Sequence, residues 1–479
     1  MSLAKPITPQ GEYFEQWGIT PTVRQSILNA ALSRGGEDCD LYFQHSASTT
    51  VQLSDGKVNK ASTHVDLGMG VRVVVGDQVG YSYSEDLRQE SLIKAAKAAA
   101  EIASRTPNRV AQPETFSHLP NYYPTRHSWD QVGMETRVNL VRDWEQKAFA
   151  YDPRIKRVEC FMADGASVVM IVRPDGRVIE DWRPSTISFV RCTVEENNVM
   201  ETNSYNVAAR AGLEYYTKNR QKRLISTAAD RALFQLSAGK PSAGEMPVVL
   251  AAGPSAILLH EAIGHGMEAD FNRKKISIFS DRINQAVANE HVTIIDDGTL
   301  VGSRGALNID DEGNQTEKTV LVNKGILRTY LHDEISARHF GVAPTGSGRR
   351  QSFRHSPMPR MRATIMESGP HDPQEIISSV NKGIYCMAFA NGQVNIGGGD
   401  FAFYVTQGYL IEDGKLTKPI KDVNVIGNGP QALADIDMVG NDLKIDEGGW
   451  TCGKEGQGVP VSQGMPTVRV AKLTVGGIG

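Results

Sequence analysis

Apolar and polar positions in the first third of the chain follow the pattern of a helix, a run of strands and a second helix. Over 22–33 the apolar side chains recur at helical spacing, as they do on the buried face of an amphipathic helix. The strand-like runs that follow are 40–45, 49–53, 64–75 and 79–83. Gly76 and Asp77, between the last two runs, are typical of a hairpin turn. Ser84 is predicted to cap an alanine-rich helix that ends near Ser104.

The same order of elements recurs after a proline-rich connector over 107–124. Helical patterns occupy 135–150 and 221–236. Between them the strand-like runs are 157–162, 167–173 and 187–194. We interpret the two stretches as two α-β-β-β-α modules, which would make the N-terminal region a duplication. The alternative is that a common order of elements recurs here by chance.

Glycine content rises sharply in the C-terminal half of the chain. Residues 243–479 contain 32 of the 46 glycines, which predicts many tight turns between short strands. Strand-like runs in this half are 319–322, 401–406, 423–426 and 467–470. We therefore predict an α+β fold in which the duplicated N-terminal region is followed by a β-rich C-terminal domain. The predicted domains are 1–120, 121–242 and 243–479, with the last boundary near the glycines at 239 and 244.

The composition and charge of the chain argue against several classes of protein. Hydrophobic residues make up 40% of the 479 residues, enough for a buried core. The formal net charge is −4 and neither sign forms a long run, so we predict no direct contact with nucleic acid. The longest nearly apolar stretch, 248–259, is too short to cross a membrane. Five widely spaced cysteines argue against a disulfide scaffold, and the N-terminus has no signal-peptide pattern, so we expect a cytoplasmic protein.

One segment, 256–270, carries residues suited to metal chemistry. His260, Glu261 and His265 form an H-E-x-x-x-H pattern. Two imidazoles can bind Zn²⁺, and an adjacent carboxylate can take a proton from the attacking water of a hydrolysis. On a regular helix, residues five apart differ by about 140° in direction, so both histidines reach one ion only if the helix is locally distorted. Gly264 and Gly266 flank the second histidine, where the backbone would have to yield.

A third ligand has to come from elsewhere, and the candidates are Glu268, Asp270 and Cys452. Glu268 lies three residues past His265, but it is also in a position to cap or solvate the helix. Cys452 lies in a glycine-rich, flexible turn and offers a thiolate, so we favour it. The other cysteines are interpreted as packing residues. The alternative for the whole motif is a pair of buried structural histidines on an apolar helix.

Two further segments are open to more than one interpretation. The turn from Asn308 to Gly313 resembles the start of an EF-hand loop, but its twelfth position is Thr319, so we interpret it as a solvated turn. The arginines of the second segment are Arg349, Arg350, Arg354, Arg360 and Arg362. This segment is either a solvated or salt-bridged loop or a contact for a substrate carbonyl or carboxylate. His355 is a candidate for stabilising an oxyanion, with a structural histidine as the alternative.

Several segments together resemble one protein family. They are HEAIGHGMEAD (260–270), TGSGRRQSFRHSPMPRMR (345–362), VIGNGPQAL (425–433), MVGNDLKID (438–446) and CGKEGQGVPV (452–461). In this order they resemble the TldD/PmbA family, whose members are also labelled candidate modulators of DNA gyrase. The resemblance implies a zinc-dependent peptidase in which His260, His265 and Cys452 match the metal ligands and Glu261 matches the catalytic glutamate.

The resemblance also implies a fold and an assembly. The family's fold is similar to the one predicted here, with a duplicated α+β region before a β-rich domain. Its members form homodimers, or pair with a TldE-like (PmbA) subunit that lacks the zinc motif, and cut unfolded peptides inside the enclosed chamber. This chain resembles the branch that carries the zinc motif. We therefore expect a peptide substrate, one zinc ion per active subunit and a second subunit.

Three other functions stay open. A cysteine hydrolase would use Cys452 with His260 or His265, and it would keep its activity after metal removal. A non-enzymatic modulator of DNA gyrase would follow the older label, although the net charge of −4 disfavours direct DNA binding. A scaffold would hold zinc for structure only, but three protein ligands leave a coordination position open, which favours catalysis.

Overall fold

The first N-terminal module is built from a helix, three strands and a second helix. The computed structural model describes residues 12–103, 111–117 and 119–477. Pro21 in the first helical turn and the Thr20 hydroxyl, which accepts the Val23 N–H, explain where the first helix begins. The elements of this module are α1 Pro21–Leu32, β1 Asp38–Ser54, β2 Lys57–Val75, β3 Gln78–Ser84 and α2 Gln89–Ala100.

The first strand of this module is longer than the sequence predicts. The runs 40–45 and 49–53 belong to β1, so the predicted break between them is wrong. β1 is paired along most of its length with β2 on one side and with a strand of the second module on the other, and this pairing keeps the polar residues between the two runs in the sheet. The predicted hairpin at Gly76 and Asp77 is confirmed, because these residues join β2 and β3.

The second helix begins later than predicted. Ser84 ends β3, and α2 begins only after a short loop. The Asp86 carboxylate accepts the Arg88 N–H and the Ser91 hydroxyl, so an aspartate in that loop, and not Ser84, holds the start of the helix. The predicted helix end at Ser104 lies outside the described residues, as does part of the proline-rich connector.

The second module has the same order of a helix, three strands and a helix. After the short strand β4 Thr115–Phe116, its elements are α3 Met134–Phe149, β5 Ile155–Val172, β6 Arg177–Glu196, β7 Val199–Ala209 and α4 Lys218–Ser237. The runs 157–162 and 167–173 both belong to β5, so the break predicted between them is also wrong, and the sequence pattern misses β7. That the two modules arose by duplication stays a prediction.

The strands of both modules form one sheet. Its order is β3-β2-β1-β5-β6-β4, and β7 also pairs with β6. One half of one face packs against α1 and α2 around Ile27, Leu41 and Leu92. The other half packs against α3 and α4 around Trp144 and Cys160. The four helices therefore cover one face of the sheet and leave the other face for the rest of the protein.

The C-terminal domain consists of short helices and of strands that are mostly short. Its elements are β8 Gly244–Leu250, α5 Ile257–Leu259, α6 Ala269–Arg273, β9 Ile294–Asp297, β10 Lys318–Asn323, β11 Ile326–Leu327, α7 Glu334–Phe340, β12 Gly348–Arg349, β13 Met358–Pro359, β14 Ala363–Met366, α8 Pro373–Ser378, β15 Lys382–Val394, β16 Asp400–Glu412, β17 Lys415–Ile420, β18 Val423–Asn428, α9 Gly429–Ala434, β19 Ile436–Val439, β20 Lys444–Ile445, β21 Thr451–Lys454, β22 Gln457–Pro460, β23 Ser462–Met465 and β24 Val468–Gly477. The longer strands are β15, β16 and β24. The four runs predicted in this half overlap β10, β16, β18 and β24.

Two larger sheets organise this domain. One has the order β15-β8-β24-β18-β16-β17 with β19 beside β24, and the other has the order β11-β10-β9-β14-β23-β20. Apolar residues of both sheets share one core with the segment that carries the histidine motif. The pairs β12–β13 and β21–β22 form separate two-stranded sheets. Within the described ranges no helix is long and apolar enough to cross a membrane.

The uncovered face of the N-terminal sheet packs against the C-terminal domain. Tyr42, Val169 and Ile171 on this face form one apolar cluster with Ile309 and Phe353. These residues alternate along β1 and β5 with the residues that face the helices, as the period of a strand requires. The sheet is therefore buried on both faces at this point.

Buried ion pairs surround this contact, and they overturn the interpretation of the EF-hand-like segment as a solvated turn. Its three acidic residues are buried, and they are Asp310, Asp311 and Glu312. Arg72 on β2 donates to Asp40 at 2.6 Å and to Glu312 at 2.5 Å. The turn is buried because the N-terminal sheet covers it, a contact that the local sequence does not reveal.

Candidate metal centre

The two histidines lie on a helical segment that changes its winding between them. α5 continues into a π-helical turn at His260–Gly264 and then into a 3₁₀ turn at His265–Met267. The N–H of His265 donates to the carbonyl of His260, so the bond typical of a π turn joins the two histidines. Their ring centroids lie 5.0 Å apart. The predicted local distortion of the helix is confirmed.

Gly264 and Gly266 have a different role from the one predicted. Gly264 has φ −55° and ψ −53°, a helical conformation that any residue adopts. A Cβ on Gly264 would lie 2.1 Å from Sδ of Met361, and one on Gly266 would lie 2.7 Å from Phe279. These glycines are therefore needed because buried side chains pack closely against the turn, and not because the backbone needs their freedom.

Neighbouring residues hold the π turn in place. Leu259, Ala262 and Ile263 are buried in the core of the C-terminal domain. Gly429, the first residue of α9, lies against the backbone of the turn, because a Cβ there would be 2.2 Å from the carbonyl oxygen of Ala262. The position of His260 therefore depends on close backbone packing as well as on the turn itself.

Cys452 reaches the histidines from the hairpin β21–β22. Its Sγ lies 3.5 Å from Nε2 of His265, and the ligand atoms of Cys452, His260 and His265 all lie within 4.8 Å of one another. The prediction that Cys452 lies in a flexible turn is wrong, because it lies on a strand, opposite Val459. Arg360 also donates to its carbonyl at 2.5 Å. A ligand on a paired strand is held more rigidly than one on a loop.

Glu268, another candidate ligand, contacts the opposite side of the His265 ring. Its Oε2 lies 3.0 Å from Nδ1 of His265 and 3.2 Å from Nζ of Lys454. Burial alone would raise the pKa of Glu268, but Lys454, His265 and Arg360 hold that pKa at about 2. A carboxylate on Nδ1 orients the ring and leaves Nε2 towards the thiol, as outer partners of metal ligands do. Asp270 pairs with Lys454 at 2.7 Å and lies outside the histidine–cysteine group.

The thiol and the imidazole shift each other's pKa. Burial alone would raise the pKa of the Cys452 thiol, but His260 and His265 lower it well below its ordinary value. Burial alone would lower the pKa of His265, but Glu268 and Cys452 raise it well above its ordinary value. These directions favour a thiolate at Cys452, which is the form that binds a metal ion.

The donor set fits a zinc ion. Imidazole nitrogens and thiolate sulfurs are the usual zinc ligands in proteins, and sites with three protein ligands are typical of catalytic zinc. Nδ1 of His260 is buried and has no hydrogen-bond partner among the described residues. A metal ion is a suitable partner for such an atom, since buried polar atoms otherwise find hydrogen bonds.

Glu261 lies in a cavity beside the two histidines. The cavity has a volume of about 390 Å³, and its lining includes Ile257, Ala390, Gly392, Trp450 and Thr451. A Cβ on Gly392 would lie 3.0 Å from Cγ of Glu261, so the glycine leaves room for the glutamate side chain. Glu261 is only partly buried. Its carboxylate is therefore accessible to water beside the histidine–cysteine group.

The arginine-rich segment is mostly buried and salt-bridged, so the interpretation as a salt-bridged loop is confirmed and that as a solvated loop is wrong. Its arginines that form ion pairs are Arg350 with Asp40, Arg354 with Asp66 and Arg362 with Asp296. Arg360 lies 3.9 Å from Glu268 and donates to the carbonyl of Cys452. Arg349 donates to backbone carbonyls. The segment thus combines salt bridges with support for the strand that carries the cysteine.

His355 lies away from the cavity around Glu261. Its Nδ1 lies 3.0 Å from the Ser352 hydroxyl, and it is not part of the cavity lining. Residues that do line the cavity, and that sequence reasoning misses, are Ala390, Gly392, Trp450 and Thr451. The signal for the last two is their position directly before the cysteine. The sequence carries no such signal for the first two, which a distant strand brings to the site.

Three family models cover most of the chain. Residues 39–103 match domain 1 of the PmbA/TldA metallopeptidases, 127–236 match the central domain, and 243–477 match the C-terminal domain. The histidines, the cysteine and Glu261 all lie within the last of these matches.

Curated proteins support the same family, and a solved structure shows a similar fold. The chain is 38% identical to a Haemophilus influenzae protein named metalloprotease TldD homolog, over 94% of this chain and 95% of that one. It is 26% identical to the zinc metalloprotease TldD homolog of Saccharolobus solfataricus, over 94% and 99% of the two chains. Its fold is similar to that of TldE from Thermococcus kodakarensis, with a TM-score of 0.74 at 15% identity, over 95% and 100% of the two chains.

The three matches define the class of protein as the PmbA/TldA metallopeptidases. The chain belongs to the PmbA/TldD family.

Proposed function

We propose that this protein is a zinc-dependent peptidase that hydrolyses peptide bonds in unfolded or flexible peptides. The observation that carries the proposal is the buried group of His260, His265 and Cys452 beside Glu261. The metalloprotease names of its relatives support it. The two imidazoles and the thiolate would hold one zinc ion per active subunit, and three protein ligands leave a coordination position for the reaction.

Each residue of the site has a distinct part in the proposed hydrolysis. When bound, zinc supplies a Lewis acid that polarises the peptide carbonyl. The carboxylate of Glu261 accepts a proton from the attacking water and then gives it to the nitrogen of the leaving amine. Glu268 holds the His265 ring through Nδ1, so that Nε2 keeps its direction when substrate enters.

Strand β15 offers a surface for an extended peptide. It pairs with β8 at Ile384–Cys386 and with β16 over most of its length. Farther along β15, where Ala390 and Gly392 line the cavity with Glu261, the edge away from β16 has no strand partner in the described part of the chain. A peptide could add to this edge through backbone hydrogen bonds. Such binding requires an unfolded segment and imposes little sequence preference.

We also propose that the active form contains a second subunit, either a TldE-like chain or a second copy of this chain, which closes the site into a chamber. The similarity of fold to the Thermococcus kodakarensis TldE supports a partner of this kind. Large apolar side chains exposed on the N-terminal sheet are suited to contact it, and they include Val65, Tyr83, Val199 and Met200. Light scattering tests the assembly, together with cleavage of one protein in its native and denatured forms. An active monomer that cuts both forms equally fast would contradict the chamber.

A cysteine hydrolase is the second candidate, and one distance favours it. Cys452 Sγ lies 3.5 Å from Nε2 of His265, which is close to the separation of a thiol nucleophile and its base. A non-enzymatic modulator of DNA gyrase is the remaining alternative, and the net charge of −4 disfavours direct DNA binding by it.

Hydrolysis of an unfolded peptide before and after chelation separates these functions. A zinc peptidase loses its activity with the metal and regains it when zinc is returned. Activity that survives complete metal removal, and is then lost on alkylation of Cys452, would assign the reaction to the thiol. The absence of hydrolysis by zinc-loaded protein, alone and with a TldE-like chain, would contradict both enzymatic functions.

A further inference from the structure

A second cavity, of about 310 Å³, lies between the N-terminal sheet and the C-terminal domain. Three arginines that line it are Arg210, Arg304 and Arg349. No ion pair joins any of the three to a carboxylate within the described ranges, although other arginines at this contact are paired. Uncompensated positive charge in a largely buried place is costly unless a ligand supplies the missing negative charge.

Neutral groups take up only part of the hydrogen-bonding capacity of these arginines. Arg349 donates to the carbonyls of Met361 and Pro460. Arg304 donates to the Trp450 carbonyl at 3.1 Å and lies 3.4 Å from the Thr451 hydroxyl. These partners position the guanidinium groups without neutralising them.

Arg210 is the least satisfied of the three. Its guanidinium lies 5.5 Å from the centre of the Tyr123 ring, and its Nε is buried without a hydrogen-bond partner among the described residues. Burial and, next to it, the positive charge of Arg210 lower the pKa of Arg304 to about 10 and that of Arg349 to about 9. Arg210 therefore repels both other arginines in the absence of an anion.

The acidic residues of this cavity are already paired. Asp311 accepts from Arg183 at 2.5 Å, and Asp164 accepts from Arg137 at 2.6 Å. Serine hydroxyls on the wall of the cavity, which belong to Ser46, Ser48 and Ser185, offer further hydrogen bonds. The lining as a whole is therefore suited to a negatively charged group.

The cavity is linked to the candidate metal centre by the hairpin β21–β22. Val459 and Pro460 line the arginine cavity, and they lie opposite Cys452 and Thr451 in the hairpin. Thr451 also lines the cavity around Glu261. A group bound by the arginines would therefore lie next to β22, whereas Cys452 lies on the partner strand β21.

We propose that Arg210, Arg304 and Arg349 bind a carboxylate of the peptide substrate. The inference rests on the proposed peptidase function and names a feature of the substrate, a carboxylate that anchors the peptide while another part of it reaches Glu261. Guanidinium groups bind carboxylates through paired hydrogen bonds, which suits this chemistry. The carboxylate is either the C-terminus of the peptide or an acidic side chain, and the two sources are separable by experiment.

Two pairs of unfolded peptides test the proposal. One pair differs in a free or amidated C-terminus, and the other has a glutamate or a glutamine at one internal position. For one of the pairs we expect the charged member to have a KM about 10- to 100-fold lower, as for a charge-assisted hydrogen bond gained on binding. Preference in the first pair identifies the C-terminus, and preference in the second identifies a side chain. Equal KM values within both pairs would overturn the proposal.

Variants of the arginines show whether this cavity causes the preference for the charged peptide. Arg304→Gln and Arg210→Gln should each lose the preference for the charged peptide, while keeping a folded spectrum in circular dichroism. Without peptide, neither variant should unfold at a lower temperature than the wild type, because each removes one of the positive charges that repel each other in the cavity. Arg354→Gln is the matched control: it removes ion pairs with Asp66 and Glu85 at the same contact but outside the cavity, and it should keep the preference. A folded Arg304 or Arg210 variant that keeps the full preference would overturn the assignment.

A binding measurement separates this inference from the peptidase function. The same peptides, labelled with a fluorophore, are titrated with metal-free protein and followed by anisotropy. Tighter binding of the charged peptide without hydrolysis under any condition would keep the arginine site and overturn the peptidase. Hydrolysis with equal binding of all four peptides would keep the peptidase function and overturn the arginine site.

Discussion

Glu261 lines the cavity beside His260, and the proposed reaction assigns its carboxylate the transfer of one proton from water to the leaving amine. Glu261→Gln keeps the shape of the side chain but cannot accept that proton. We expect zinc content to be unchanged and kcat to fall by roughly 10²- to 10⁴-fold. Metal analysis together with peptide hydrolysis checks this. Near-normal turnover of a zinc-loaded variant would exclude the general-base role.

Cys452 and Glu268 lie on opposite sides of the His265 ring. We therefore expect substitutions at the two positions to weaken zinc binding to different extents. Cys452→Ser removes the proposed ligand and should abolish stoichiometric zinc binding, because a neutral hydroxyl replaces a thiolate. Glu268→Gln removes only an outer partner and should weaken zinc binding about 10- to 100-fold while the stoichiometry is kept. Competition with a chelator of known affinity measures both. If the glutamine variant loses zinc and the serine variant retains it, Glu268 is the ligand.

Residue types identify the histidine motif from the sequence, but not its surroundings. The pattern of His260, Glu261 and His265 is local, and its chemistry can be predicted without a fold. Lys454 and Arg360, which hold the pKa of Glu268 at about 2, come from distant segments and carry no local signal. The same limit explains why the acidic turn at Asp310 looks solvated in the sequence, since only the fold covers it.

The π turn is the element on which the candidate metal centre depends. The spacing of the histidines predicts that the helix must be distorted between them. It does not predict what stabilises the distorted turn, because close contacts with other elements do so. Gly264 faces Met361, and Gly429 faces the backbone of Ala262. Likewise, the sequence pattern predicts a break within β1 and another within β5. Both strands are continuous because they pair with each other across the predicted breaks.

Gly429→Ala tests this contact between elements. Its Cβ would lie 2.2 Å from the Ala262 carbonyl oxygen, which belongs to the backbone and cannot move aside without shifting the turn. We expect a loss of about 1–3 kcal/mol in stability and weaker zinc binding. Gly239→Ala is the control, because its Cβ would meet no atom within 4 Å and its φ is not positive. Thermal unfolding and zinc titration measure the effects, and equal behaviour of the two variants would contradict this role of Gly429.

Buried charges join the N-terminal sheet to the C-terminal domain. Asp40 accepts from Arg72 at 2.6 Å and from Arg350 at 2.7 Å, and all three side chains are buried. Asp40→Asn removes the negative charge that two buried guanidinium groups share, and it should lower the free energy of unfolding by about 3–5 kcal/mol. Asp66→Asn is the control, because its pair with Arg354 is partly exposed and should contribute less than about 1 kcal/mol. Denaturant unfolding compares them, and equal losses would refute the importance of the buried pairs.

The same group predicts how stability depends on pH. Burial alone would raise the pKa of Asp40, but Arg72, Arg350 and Arg173 outweigh it and hold the pKa at about 2, below its ordinary value of 3.8. Because the folded state holds the proton less tightly, the stabilisation is fully present above pH 3.8 and is lost as the pH falls towards 2. The difference in stability between the wild type and Asp40→Asn should therefore narrow as the pH falls through that acidic range. A difference that stays constant between pH 4 and pH 2 would contradict this assignment.

Zinc X-ray absorption of the purified protein shows whether His260, His265 and Cys452 together bind a zinc ion. We expect one zinc per chain with a single sulfur neighbour at about 2.3 Å and imidazole nitrogens at about 2.0–2.1 Å. The sulfur signal should be absent from any zinc that Cys452→Ser retains. A zinc environment without sulfur in the wild type, or a sulfur signal that persists in Cys452→Ser, would exclude Cys452 as a zinc ligand.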